Sequence, residues 1–120
     1  MASVISRPNQ AKFRKLAISA YEGTCALTGE TVSDVVIACH IIDHANGGPD
    51  SLDNAICLRA DIHTLYDRGK LRISKDGDIV LSHDLMESLS YADLPAKIEI
   101  PVWVNKDYLD KKFKYGSTRA

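Results

Sequence analysis

The 120-residue sequence lacks a long apolar run, paired cysteines and any low-complexity stretch. Its longest uncharged apolar segment, residues 35–39, falls far short of the roughly 20 residues that a bilayer-crossing helix needs. No membrane partner is therefore expected. The N-terminus has no apolar core followed by a small-residue cleavage site, so no secretory signal is expected either. Three cysteines, Cys25, Cys39 and Cys57, cannot make a disulfide framework, and an odd count fits a reducing, cytoplasmic setting. Aromatics are sparse, and no aromatic ladder suited to stacking single-stranded bases is present; Trp103, Tyr108 and Phe113 read as core or interface residues. What remains is ordinary globular material, 45% hydrophobic and 26% charged, of a length that makes residues 1–120 a single domain.

The net charge of −1 hides a pattern. Residues 1–33 are basic through Arg7, Lys12, Arg14 and Lys15, whereas residues 34–67 hold six aspartates against Arg59 alone. Arg68, Lys70, Arg72 and Lys75 follow as a basic run, residues 76–99 are again acidic, and the tail over 101–120 is basic. Basic segments around an acidic centre suit a protein that grips a polyanion at its edges and a cation in its middle; a mixed solvated surface is the simpler reading.

Helical spacing over residues 9–22, with Asn9 as N-cap and Gly23 as terminator, predicts a first helix. The β-branched run at 35–39 predicts a strand ending near His40, and residues 43–53 form a loop with little to bury. A second short strand over 54–58 and a short helix over 60–68 come next, with Gly69 at the helix end. Residues 71–74 and 79–82 flank Lys75-Asp76-Gly77-Asp78, a hairpin signal. The tail predicts a strand at 102–104 and a basic helix near 106–114.

Chemistry gathers on the strand–loop–strand–helix segment. His40, at a strand end beside a polar loop, is a natural general base at neutral pH, although a single histidine is commonly structural. His63 and Asp67 lie four apart on the helix, one turn from each other on one face. There they can share a divalent cation or simply hydrogen-bond to each other. Asn54, at a loop-to-strand junction, is placed to pin the backbone.

Taken in order, Ala38-Cys39-His40-Ile41-Ile42, Gly47-Gly48-Pro49-Asp50, Asp53-Asn54, Leu58-Arg59-Ala60-Asp61-Ile62-His63 and Leu65-Tyr66-Asp67-Arg68-Gly69 resemble the HNH nuclease motif. Cys25-Ala26-Leu27-Thr28-Gly29, after a basic helix, resembles the lead-in of a large branch of that family. The resemblance is good over residues 11–75, with the core motif at about 25–75. It implies an α+β domain with a ββα-metal (His-Me finger) centre, an N-terminal helix and a flanking β-hairpin. It further implies a metal-dependent endonuclease hydrolysing DNA, in a bacterial or phage-type interior. His40 would deprotonate the attacking water, Asn54 would hold the loop that orients it, and His63 and Asp67 would bind one divalent ion, Mg²⁺ with Mn²⁺ or Ni²⁺ as substitutes. The alternative is a non-catalytic nucleic-acid-binding ββα module, or a subunit that needs a partner for targeting.

Two departures from the family pattern matter. Cys39 stands where many members carry a metal-binding aspartate or histidine, and it reads as a buried strand residue. The second is in the zinc knuckles, where Thr28, Arg59 and Ile62 replace the cysteines that would accompany Cys25, so no structural zinc is expected. Arg68, Lys70, Arg72 and Lys15 are the expected phosphate contacts on a DNA duplex. A chain of −1 binds phosphate weakly by itself, which points either to low-affinity, non-specific cleavage or to targeting through a homodimer or a separate recognition subunit.

Overall fold

Phe13, Ala17 and Tyr21, spaced four apart along and just past helix α1 (Pro8–Ala20), form one buried stripe in the computed structural model, which describes residues 8–115. Leu16 falls off that stripe and stays 47% exposed. The helix already includes Pro8, so Asn9 lies in its first turn rather than capping it; proline's fixed φ suits a first helical position. At the other end the Gly23 N–H donates to the Ile18 carbonyl at 2.9 Å and stops the helix where the glycine was read to stop it.

Strands β1 (Val36–His40) and β2 (Ala55–Arg59) pair antiparallel, with Val36 opposite Arg59 and His40 opposite Ala55. The first four residues of β2 are buried because α1 and α2 (Ala60–Asp67) both pack on the strand pair. Helix α2 follows β2 without a loop and turns Ile62 and Tyr66 inward. That orientation leaves His63 and Asp67 half-exposed on the neighbouring stripe. Strands β3 (Leu71–Ile73) and β4 (Ile79–Leu81) make a second antiparallel hairpin. Its turn needs Gly77: at φ 93°, a Cβ there would lie 2.0 Å from the Ile98 carbonyl oxygen. The architecture is therefore α+β, built from helices and two antiparallel hairpins.

The C-terminal part differs from the sequence expectation in one place. Residues 102–104 form a turn, not a strand. The Val104 N–H donates to the Pro101 carbonyl at 3.1 Å, and the next N–H, of Asn105, donates to the Asp53 carbonyl at 3.0 Å. Val102 is 97% exposed while Val104 is buried, so the apolar run is split by a proline-initiated turn with no strand beside it. The Asn105 side chain accepts the Asp107 N–H at 2.9 Å and starts helix α4 (Lys106–Tyr115). A short helix the sequence did not signal, α3 (His83–Met86), carries His83 well into solvent, beside Glu87.

All three cysteines are buried. Cys25 keeps a knuckle-like geometry, its Sγ accepting backbone N–H groups from Thr28 at 3.4 Å and Arg59 at 3.2 Å. Around it, Ile62 is fully buried and Arg59 forks onto Asp61 at 2.7 and 3.0 Å. Asp61 also accepts the Tyr91 hydroxyl at 2.8 Å, and the guanidinium bond holds its carboxyl down at about 2. Burial, then the neighbouring Cys25, pushes the Cys57 thiol up to about 11. A raised thiol stays protonated in the fold, so its contribution to stability is complete below the unfolded value near 8.5 and is lost as pH rises toward 11. Native protein at pH 8 should accordingly resist a disulfide-exchange thiol reagent, and protein in guanidinium should release three equivalents. Rapid labelling of the native state would contradict this packing.

Candidate catalytic and metal-binding site

The loop between β1 and β2 is closed by one side chain. Asn54 is fully buried at the end of the loop. Its Oδ1 accepts the Ile42 N–H at 2.9 Å, and its Nδ2 donates to the Ile42 and Pro49 carbonyls, both at 3.0 Å. Its own carbonyl accepts the Ile41 N–H at 2.9 Å. The backbone comes so near that a Cβ on Gly48 would sit 1.8 Å from the Ile42 oxygen and 2.9 Å from the Asn54 Nδ2. A glycine is required there for space.

Asp50 follows Pro49, and its Oδ1 lies 2.7 Å from His40 Nε2, with the two side chains 14% and 13% exposed. The Phe13 ring of α1 stacks on the imidazole at 4.0 Å and 3°. His40 is thus held edge-on by a carboxylate and face-on by a ring. An ionised carboxylate only accepts hydrogen bonds, so this contact keeps a proton on Nε2 and leaves the Nδ1 lone pair to act. Asn54 makes no side-chain bond to His40; it acts through Pro49 and the Asp50 that follows.

His63 Nε2 and Asp67 Oδ2 stand 3.3 Å apart, and these side chains are 31% and 45% exposed. Cys39 precedes His40 and is buried, with its thiol 3.4 Å from the Ile37 carbonyl. Burial first, then the Asp67 carboxylate, pushes that thiol well up. A thiol kept neutral by burial is not a ligand for a hard cation. Among the described residues no three His, Cys, Asp or Glu side chains form a metal-ligand group. Two adjacent hard-to-borderline donors nevertheless suit an ion such as Mg²⁺, which keeps several waters and takes few protein ligands. Among the described residues the buried Tyr66 hydroxyl has no hydrogen-bond partner, and Asp67 is its neighbour on α2. An unpaired buried hydroxyl is costly, by about 1–3 kcal/mol, and marks this neighbourhood as one for a polar occupant. The residues fit a hydrated divalent ion.

The basic residues divide. Arg68 and Lys15 are exposed. Lys70 pairs with Asp84 at 2.5 Å. Arg72 is engaged by α4: its Nη1 donates to the Phe113 carbonyl at 3.0 Å, and its guanidinium lies 4.8 Å from the Phe113 ring centroid. Arg72 thereby docks a helix, which a charge count could not reveal. The sequence reading also missed Asp50 and Phe13 as partners of His40. Asp50 stood in the matching motif without a role, and Phe13 carried only the signal of a core position.

The HNH endonuclease family model matches residues 25–74. Among solved structures, a "Modification dependent TagI restriction endonuclease" superposes with a TM-score of 0.59 at 20% identity. The match covers 82% of this chain and 35% of that one, so this chain spans about a third of that protein's length. No curated protein matches the chain.

If the loop is held as described, Asn54→Ala strands the Ile42 N–H and two carbonyls and lowers stability by about 3 kcal/mol. Gly48→Ala overpacks the same point and costs about 1–3 kcal/mol. Denaturant titration reads both, and a neutral Gly48→Ala would contradict the close approach.

Proposed function

We propose that this chain, whose residues 25–74 match the HNH endonuclease family model, is a metal-dependent endonuclease hydrolysing phosphodiester bonds of double-stranded DNA, with His40 as general base. The observation that carries this reading is the restraint on His40, fixed by Asp50 at 2.7 Å and by the Phe13 stack at 4.0 Å. A base that must remove a proton from a positioned water needs one free nitrogen and a fixed ring; the Asp50 contact and the Phe13 stack support the second, and an Nε2–H donated to Asp50 would leave Nδ1 for the first. Water attacks phosphorus as its proton passes to His40 Nδ1. One P–O ester bond breaks, and the leaving oxygen takes a proton from solvent water, giving a phosphate monoester on one end and a hydroxyl on the other. His63 and Asp67 would hold the divalent ion, whose chemistry at this site is Lewis-acid neutralisation of phosphate charge and stabilisation of the leaving oxygen. Arg68 and Lys15, both exposed, would meet flanking phosphates, whereas Lys70 is paired with Asp84. The low net charge supports targeting by a second subunit, either a copy of this chain or a recognition protein.

Cys39 supports a rival, since burying a thiol where relatives carry a ligand leaves the ion two protein donors. A non-catalytic DNA-binding module would cut nothing with any metal, and His40→Ala would leave its binding unchanged. Plasmid relaxation with Mg²⁺, Mn²⁺, Ni²⁺ or EDTA decides between them. The nuclease reading expects nicking that EDTA abolishes, that His40→Ala lowers by about 10²–10⁴-fold, and that Asp50→Asn lowers by about 10²-fold through a misplaced ring. Wild type and His40→Ala equally inert with every metal, yet binding duplex alike, would sink it in favour of the module.

A further inference from the structure

A cleft of about 350 Å³ opens beside the catalytic loop. One wall is Ile41, Ile42 and Asp43, the three residues that directly follow the base; the other is Lys111 and Lys112 of α4. We propose that Lys111 and Lys112 form a phosphate-contacting wall of the DNA groove, gripping the duplex backbone next to the scissile position. This rests on the nuclease reading above and adds to it an element outside the matched segment 25–74.

Three observations carry the inference. The first is availability. Lys70 is neutralised by Asp84, Lys114 by Asp110 at 3.0 Å, and Arg72 is spent on Phe113, whereas neither Lys111 nor Lys112 has an ion-pair partner among the described residues. Two lysines and one carboxylate, that of Asp43, line the cleft. The second is rigidity. Helix α4 is anchored by Leu109, 1% exposed, and by the Arg72–Phe113 contact, so its lysines are presented on a fixed rod rather than a loose tail. The third is placement. Lys112 Nζ lies 5.0 Å from the centroid of the Tyr66 ring, and Tyr66 is the helical neighbour of Asp67. A phosphodiester backbone is the occupant that suits this chemistry: anions for the lysines, and sugar carbon for the part-exposed Ile42.

The test is fluorescence anisotropy of a labelled duplex in EDTA, titrated between about 50 and about 200 mM salt, where phosphate contacts dominate binding. Wild type is compared with Lys111→Gln, the double variant Lys111→Gln/Lys112→Gln, and Lys75→Gln on the β3–β4 turn, which does not line the cleft. Each lost phosphate contact reduces the slope of log K against log salt by about 0.9, so the double variant should lose about 1.8 and bind about tenfold more weakly at the low end. Lys111→Gln alters an exposed side chain and should lose about half of that slope with an unchanged Tm; Lys75→Gln should match wild type. Unchanged slopes in both cleft variants, in a wild type that nicks plasmid, overturn the lysine wall and leave the nuclease standing. A wild type that neither nicks nor binds duplex overturns both.

Discussion

The buried amide of Asn54 is the constraint on which the site depends. A chain that leaves β1 and returns in β2 must make a loop with almost no apolar side chains to bury. Such a loop has no hydrophobic reason to stay in one conformation. Three hydrogen bonds from one fully buried side chain supply that reason, and Gly48 lets the backbone come close enough to make them. Each bond is worth about 0.5–1.5 kcal/mol net, but leaving any one unmade costs more, so the arrangement is held by what its loss would strand. Fixing Pro49 fixes Asp50, and Asp50 fixes the imidazole.

The rest of the molecule supports that chain of positions. Helix α1 contributes Phe13, which is at once a core residue and the ring under His40. Helix α2 buries Ile62 and Tyr66 and so leaves His63 and Asp67 together on its half-exposed stripe, 3.3 Å apart. Around Cys25, backbone N–H groups, a buried isoleucine and the Arg59–Asp61–Tyr91 cluster tie the strand end to α2 and to the segment around Tyr91. Packing and hydrogen bonds carry the scaffold there, and the buried thiols are part of the packing.

Much of this was legible in the sequence, for identifiable reasons. Helices α1 and α2, strands β1 and β2, and the β3–β4 hairpin follow from spacing and punctuation that act locally: a buried stripe every four residues, a β-branched run, an Asp-Gly turn. His40, Asn54, His63 and Asp67 could be singled out because they are chemical residues at junctions. Tertiary partners were not legible. No local rule pairs His40 with Asp50 ten residues on, or with a phenylalanine on another helix. Arg72 looked like a free cation, and only the docking of α4 gives it Phe113. The run at 102–104 looked like a strand because it is apolar, yet a strand needs a neighbour, and Pro101 turns the chain instead.

The division of labour between His40 as base and His63 with Asp67 as ligands is the central claim. It is tested most directly by calorimetric Mn²⁺ titration of wild type, His40→Ala and His63→Ala, run beside duplex cleavage by the same preparations. The account expects His40→Ala to bind Mn²⁺ as wild type does and yet not cut, and His63→Ala to lose both. Loss of Mn²⁺ binding in His40→Ala, or cleavage retained by it, would contradict the assignment.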